Sequence, residues 1–345
     1  MSNRELEQVL KNGLAAHLEG RLGEADKLYR QVLKKEPENA DAWHLSGALA
    51  YTRGNLAKAR EKTEHALKLE SRFPEALNTL GNILKDQNQL EAALAKYSLA
   101  VDIGGAVGAV LANRGDVLRR VGKLDDAEAD CRKAIELNPD LATGHGNLGA
   151  VLMDQKNWED AQLELTKATH LEPDEVIFSI NLSRTLLELD NAHDAIKVAE
   201  IAVNLSPRSA DALNALGSAH YALLDYDTAE KFFRNALLLE AEHSDAHNNL
   251  GNTLARKNQL EEAEKYFNIS LNIDSERPDV LTNLGGVLQA QGRLNEALEK
   301  FDEALTIDPD YADGHWNRSL ARLLTGNLLG GFSDYEWRFK LPEFV

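Results

Sequence analysis

The sequence predicts an all-α protein, a solenoid of about ten copies of one helix–turn–helix unit. Three observations predict it. Alanine recurs every 34 residues, at Ala25, Ala59, Ala93, Ala127, Ala161, Ala195, Ala229, Ala263 and Ala297, and a fixed period of this length marks one supersecondary unit copied end to end. A second position in each period is always Gly or Ser. No segment shows the two-residue alternation of a half-buried strand.

With the recurrent alanine placed at position 20, the repeats start at Leu6, Ala40, Pro74, Gly108, Ala142, Val176, Ala210, Ser244, Pro278 and Ala312. In the first helix, positions 4, 7, 8 and 11 share one face, as in Leu77, Leu80, Gly81 and Leu84. Position 8 is Gly13, Gly47, Gly81, Gly115, Gly149, Ser183, Gly217, Gly251, Gly285 and Ser319. Glycine inside a helix costs about 1 kcal/mol against alanine, so its recurrence predicts close helix approach, with position 8 facing the alanine of position 20. Proline at position 1 (Pro74, Pro278) suits a first helical turn. Asp at position 2 (Asp211, Asp245, Asp279, Asp313) suits the positive end of the helix dipole.

The turn falls at position 15, which is Gly20, Gly54, Asn88, Gly122, Asp190, Asn258, Gly292 or Gly326, with Lys156 and Leu224 as exceptions. These residue types tolerate the left-handed backbone that ends a helix. Pro37, Pro139, Pro173, Pro207 and Pro309 at position 32 stop the second helix. The expected organisation is a flank over 1–5, nine repeats over 6–311, and a tenth, divergent repeat with an aromatic cap over 312–345.

Trp43, Gly47, Ala59 and Ala66 in the second repeat, and Leu284, Gly285, Ala297, Phe301, Ala304 and Pro309 in the ninth, resemble the tetratricopeptide repeat. The resemblance covers about residues 6 to 311. It implies antiparallel helix pairs stacked into a right-handed superhelix whose first helices line a concave groove, and a chain that binds peptides or partner proteins and does not catalyse.

The helical wheel places positions 2, 6, 9 and 13 roughly opposite the core positions. Position 6 is Asn113, Asn147, Asn181, Asn249, Asn283 and Asn317 in six repeats, and Asn82 and Asn252 add to it at position 9. Asparagine is a middling helix former, so its recurrence at one exposed position asks for a use. An amide offers donor and acceptor together, which suits an extended peptide backbone whatever its side chains. The other reading is that these amides cap local turns or bridge repeats. A similar asparagine ladder belongs to the repeat arm of protein O-linked N-acetylglucosamine transferases, which this chain resembles most. Lys85, Arg119, Arg120, Arg184 and Arg256 fall at positions 9, 12 or 13. They would select acidic ligand side chains, or stand as solvated charges paired to Asp86, Asp116 or Glu188. The basic clamp that some such repeats use for a C-terminal carboxylate needs Lys at position 5, where this chain has Leu10, His44, Asn78, Ala112, Gly146 and Ile180.

Both terminal repeats are apolar where the middle ones are polar. Leu10, Leu14 and Leu18 stand at positions 5, 9 and 13 of the first, and Trp316, Leu320, Leu323 and Leu324 at positions 5, 9, 12 and 13 of the last. An exposed apolar stripe marks an interface, so self-association or domain docking is expected there, with capping by flanking chain as the alternative. Gly331-Phe332 followed by Tyr335-Glu336-Trp337-Arg338 resembles the junction in bacterial tetratricopeptide proteins that continue into a glycosyltransferase-like domain. The same cluster also reads as a plain C-terminal cap.

The composition narrows the function classes. Against 38 basic residues stand 56 acidic ones, a net charge of −18, which disfavours nucleic acid or an anionic membrane as the main partner. Aromatic residues are only 6%, so small and aliphatic side chains must build the core. One cysteine, Cys131, excludes an internal disulfide framework and fits a reducing compartment. The start, Met-Ser-Asn-Arg-Glu-Leu-Glu, lacks the apolar run of a signal peptide, and no stretch is long enough to span a bilayer. A cytoplasmic protein is expected. No phosphate loop, dinucleotide fingerprint or His-Glu-x-x-His motif is present. His243 and His247 lack a third ligand, and Cys131, at position 24, reads as a buried inert thiol. The expectation is a chain with no catalytic residues, metal or cofactor, whose partner is a protein or peptide segment, unless the native protein continues beyond residue 345.

Overall fold

The computed structural model describes residues 3–105 and 107–341. Residues 1–2 of the expected flank and 342–345 of the expected cap lie outside the described residues. Every described element is helical, and helix follows helix in antiparallel pairs at the 34-residue period.

The half of the chain up to Pro173 holds five pairs. They are α1 (Asn3–Leu18) with α2 (Leu22–Lys35), α3 (Ala40–Thr52) with α4 (Leu56–Leu69), α5 (Pro74–Asp86) with α6 (Leu90–Gly104), α7 (Gly108–Arg120) with α8 (Leu124–Leu137), and α9 (Ala142–Asp154) with α10 (Trp158–Leu171). Residues 3–5 of the expected flank are thus the first turn of α1. The half from Asp174 onward repeats the plan. Its pairs are α11 (Val176–Glu188) with α12 (Ala192–Leu205), α13 (Ala210–Ala222) with α14 (Tyr226–Leu239), α15 (Ser244–Arg256) with α16 (Leu260–Ile273), α17 (Pro278–Ala290) with α18 (Leu294–Ile307), and α19 (Ala312–Leu324) with the shorter α20 (Leu328–Tyr335). A 3-10 turn, Glu336–Lys340, follows.

Within each half, every second helix packs on the first helix of the next repeat, giving a helical solenoid. Successive first helices also approach closely (α3 on α5, α5 on α7, α7 on α9; α13 on α15, α15 on α17, α17 on α19), whereas the backbones of successive second helices stand farther apart among the described residues, α14 reaching α16 through Arg234, which bonds Glu262 and Tyr266 at 2.9 Å. Each half therefore curves with its first helices on the inner side.

The packing inside a repeat corrects one expectation. The side chain that the glycine of position 8 faces is that of position 24, not the alanine of position 20. A Cβ on Gly81 would lie 2.5 Å from the ring of Tyr97, on Gly285 2.5 Å from that of Phe301, and on Gly251 2.7 Å from that of Phe267. The alanine of position 20 contributes its carbonyl, 3.3 Å from the corresponding point on Gly47 and 3.2 Å on Gly115. In the sixth repeat, Ser183 replaces glycine, position 24 shrinks to the buried Ala199, and Ser183 Oγ donates to Ala195 O at 3.0 Å.

The turns close alike in all ten repeats. Position 15 has positive φ throughout, including the two apparent exceptions, Lys156 at 59° and Leu224 at 61°. In the second repeat the Gly54 amide donates to Tyr51 O and the Asn55 amide to Ala50 O, satisfying carbonyls at the helix end. Backbone geometry here is imposed by packing, and the side chain must accept it. Leu224 is 69% exposed and so gains little burial in return. Leu224→Gly is expected to raise the stability of the second half by about 1 kcal/mol, because it removes left-handed strain that leucine bears and glycine does not. Urea unfolding followed by circular dichroism checks this; an unchanged or lower midpoint would refute the strain.

Candidate inner-face binding site

The inner face of each half is built from the exposed sides of the first helices, and polar residues tie neighbouring repeats across it. Asn113 Nδ2 donates to Asn78 Oδ1 at 3.3 Å, Asn147 Nδ2 to Ala112 O at 2.9 Å, Asn249 Nδ2 to Asn214 Oδ1 at 3.0 Å, and Asn283 Nδ2 to Asn248 Oδ1 at 3.1 Å. Each bond joins position 6 of one repeat to position 5 of the repeat before it, 35 residues back. His44 and Thr79 make the same link without an asparagine, at 3.0 Å. Of the two readings of the asparagine row, bridging between repeats is therefore seen at four positions. All four side chains remain half-exposed, and their Oδ1 atoms accept no hydrogen bond among the described residues.

The remaining asparagines differ. Asn317 Nδ2 turns onto Asp313 O of its own helix at 2.8 Å. Asn82 Oδ1 accepts the Tyr97 hydroxyl at 2.6 Å. Asn181 and Asn252 are half-buried, and no side-chain bond holds them among the described residues. Asn252 and Asn249 line a pocket of about 230 Å³ in the second half, together with Leu187, Ser218, Tyr221 and Phe233.

A second set of links, between positions 12 and 13 and again 35 residues apart, was not anticipated. The Tyr51 hydroxyl donates to Asp86 Oδ2 at 2.7 Å, Arg119 Nη1 to Asp154 Oδ2 at 2.9 Å, and Arg256 Nε to Tyr221 Oη at 3.3 Å; His17 meets Thr52 at 3.0 Å. Burial, then the Asp86 carboxylate, push the Tyr51 hydroxyl upward. The signal was legible in principle: complementary polar types offset by one repeat plus one residue.

Most of the singled-out cations are engaged within the chain. Lys85 Nζ reaches Asp116 Oδ2 at 3.1 Å, Arg119 pairs with Asp154, Arg120 Nη2 donates to Asn88 Oδ1 at 3.4 Å, and Arg184 Nη2 approaches Asp211 Oδ1 at 3.5 Å. Arg256 has the Tyr221 hydroxyl and no carboxylate among the described residues. That hydroxyl holds its guanidinium above the ordinary range.

Position 4 also carries a role that periodicity hid. Trp43 Nε1 donates to Pro37 O at 2.7 Å, and the Nε2 atoms of His145, His247 and His315 each meet the carbonyl at position 32 of the previous repeat at 2.9 Å. A polar ring at the start of a first helix thus satisfies the turn between repeats. His247 commits its Nε2 in this way, and no cluster of His, Cys, Asp and Glu suited to a metal occurs among the described residues. Cys131 is fully buried, with its thiol pushed up to about 12 by burial, which leaves it unreactive.

At the ends, Leu10 packs beside the cluster of Ala16, Ala25, Tyr29 and Leu49, while Leu14 is 38% and Leu18 80% exposed. Trp316 lies 5.1 Å from the Tyr335 ring and Leu320 is half-buried, while Leu324 is 63% exposed and, on α20, Leu329 and Phe332 are both mostly bare. The aromatic run folds back on α19. Trp337 stacks on His315 at 3.8 Å, and buried Asp334 binds Arg318 through two bonds of 2.7 and 2.8 Å and Arg322 at 2.9 Å. Burial opposes ionisation of Asp334, but Arg318 and His315 outweigh it and hold the carboxyl below its usual range.

Models of the tetratricopeptide repeat match residues 10–67, 109–141, 180–237 and 242–310, more than half of the chain. No curated protein matches it. Among solved structures, a thermophilic tetratricopeptide repeat protein of Thermus thermophilus is 21% identical, covering 53% of this chain and 99% of its own, with a TM-score of 0.50. A tetratricopeptide repeat protein of Parabacteroides merdae is 16% identical, covering 73% and 100%, with a TM-score of 0.54. A chain of the APC/C hetero-tetramer Cut9–Hcn1 is 12% identical, covering 100% and 95%, also at 0.54. These likenesses carry the fold. Among the described residues, no helix is long and apolar enough to cross a membrane.

One electrostatic pair is open to direct titration. His243 caps α15 by accepting the Ala246 amide on Nδ1, and its Nε2 lies 3.4 Å from Asp211 Oδ1 on α13. The Asp211 contact raises His243 above its ordinary value, and the His243 contact lowers Asp211. The His243 contribution is therefore full below the unfolded histidine value and is lost as pH rises through the raised folded value. The Asp211 contribution is lost as pH falls through its lowered value. Asp211→Asn is expected to bring the His243 titration midpoint down, read from its ring-proton shifts by NMR; an unmoved midpoint would refute the pairing.

Proposed function

The chain belongs to the tetratricopeptide repeat family, and from that premise and the geometry of the inner faces we propose that it holds an extended segment of a partner protein. As a protein-interaction scaffold it needs a surface rather than a reaction centre. The observation that supports the finer reading is the state of the bridging asparagines. Each turns its amide nitrogen to the neighbouring repeat, Asn249 to both Asn214 and Ser218, which fixes its rotamer and keeps its oxygen free to accept from a peptide N–H. The order lost on binding is thereby reduced in advance. Asn252 is the informative position, because it faces the same pocket as Asn249 without a bond of its own.

Asn252→Ala is expected to leave the melting temperature unchanged and to weaken partner binding by about five- to tenfold, the worth of one or two hydrogen bonds. Calorimetry with a partner segment recovered by pull-down from the native organism measures it. Unchanged affinity would remove the inner face from recognition.

For the apolar ends, we propose self-association through Leu14 and Leu18, since Leu18 is largely bare and Leu14 partly so, whereas Leu10 packs on the first core cluster. Light scattering of the wild type against Leu14→Glu, Leu18→Glu is expected to show the larger species only for the wild type. Equal masses would leave these leucines as ordinary terminal exposure.

A second reading is a substrate-recruiting arm of a larger O-linked N-acetylglucosamine transferase-like enzyme. It has the Gly331–Trp337 run in its favour, and a sugar-nucleotide domain in a longer reading frame would establish it. The stacking of Trp337 on His315 supports a terminal cap instead.

A further inference from the structure

Three crevices on the first half share one construction, away from the inner face. Each lies between the second helix of one repeat and both helices of the next, floored by positions 7 and 11. Leu80 and Leu84 floor one of about 380 Å³, and Arg114 and Leu118 floor another of about 330 Å³. In the remaining one, between α2, α3 and α4, the floor positions are Ser46 and Ala50, and the space grows to about 540 Å³. The small floor residues open a cavity where the repeat elsewhere fills it.

The charges around this cavity are unbalanced. Arg30, Arg53, Lys58 and Lys62 line it against Asp26 and Glu61. Asp26 is taken up by Arg30 at 2.8 Å and Arg53 at 3.6 Å. The ammonium groups of Lys58 and Lys62 have neither ion pair nor hydrogen bond among the described residues. The fourth repeat shows the balanced arrangement: position 23 is Asp130, which takes Arg114 of position 7 through bonds of 2.6 and 2.8 Å. In the second repeat the same two positions are Lys62 and Ser46, a half-buried cation with no ion pair among the described residues. Burial, together with Arg30, Lys58 and Arg53, lowers the Lys62 value against the opposing pull of Asp26.

We propose that this crevice binds a phosphate monoester, its dianion seated beside Lys58 and Lys62 over the Ser46–Ala50 floor. The lining carries a surplus of two positive charges, which a phosphate monoester at about −1.5 to −2 neutralises and a single carboxylate does not. The low charge density of the apolar walls, Leu33, Trp43 and Leu49, strengthens such a pairing relative to open solvent. Either a phosphorylated side chain of a partner or a soluble phosphate ester supplies that chemistry.

The test is calorimetry on the full chain with O-phosphoserine, a phosphoserine-centred peptide and its unphosphorylated form. At least one phosphorylated probe is expected to bind and the unphosphorylated peptide not to. Binding of the peptide alone assigns a partner's side chain; equal binding of both assigns a soluble ester. Lys62→Met is expected to weaken binding tenfold or more. Ser46→Leu, Ala50→Leu, which installs the residue type found at Leu80 and Leu84, is expected to abolish binding while the melting temperature holds or rises. Absence of binding by every phosphorylated probe at millimolar concentration overturns the proposal, as does an affinity that neither substitution changes. Because Asn252→Ala leaves this crevice intact, loss of inner-face binding there and loss of phosphate binding here are read separately.

Discussion

The contact between position 8 and position 24 is the constraint on which the rest of the structure depends. Where a ring at position 24 lies against the backbone of the position-8 glycine, the two helices of a repeat stand closer than any Cβ would allow. That separation sets the thickness of the repeat, and hence which faces of its helices are left to meet neighbours and solvent. The sixth repeat shows that volume is what is held constant, since Ser183 and Ala199 exchange size between the same two positions. The second repeat pairs Gly47 with Thr63, whose buried hydroxyl finds no partner among the described residues. There the fit costs an unsatisfied polar group, a penalty of about 1–3 kcal/mol in comparable sites. A solenoid tolerates such a local cost because each repeat is also held by its neighbours.

Helix boundaries, turns and the inner face were legible in the sequence because each follows from a local property. Helical period fixes which residues share a face, and left-handed backbone favours glycine and asparagine. Period does not fix how one helix meets another. The partner of position 8 therefore lies one helical turn from where the sequence alone puts it, at the ring of position 24 rather than the alanine of position 20. Leu224 and Lys156 looked like exceptions at position 15 because side-chain preference was the only guide. Their positive φ shows that the packed helices dictate the turn and the residue complies. The links across repeats were not legible from any one repeat. A bond from Asn249 to Asn214 joins residues 35 apart, and a 34-residue alignment sets them in adjacent columns rather than one.

Electrostatics divides the molecule in a similar way. With acids in large excess, most basic side chains of the first helices are already committed: Lys85 to Asp116, Arg119 to Asp154, Arg114 to Asp130. On the inner face this pairing takes up Lys85 and Arg119, and acids such as Asp41, Glu75 and Glu188 at positions 2 and 13 still outnumber the bases there. The amides of such a face offer donor and acceptor together and discriminate little among side chains of a ligand. On the proposed reading they would suit a main chain, and Arg256, which lacks a carboxylate partner among the described residues, would be the cation left to meet a ligand's charge.

Bridging by the asparagines does not compete with the recognition proposed for them; on that reading the first would be a condition of the second. A free asparagine on a helix surface samples several rotamers and must be ordered by whatever it binds, at an entropic cost. Asn113, Asn147, Asn249 and Asn283 have that order supplied by position 5 of the preceding repeat. Successive Asn113 and Asn147, like successive Asn249 and Asn283, are then held in a fixed relation one repeat apart. An array of acceptors with fixed spacing matches an extended chain only in certain registers, so on the proposed reading stiffness between repeats would set selectivity for a ligand's backbone. The same bonds resist any change of curvature within a half, which ties the shape of the inner face to the polar links lying on it.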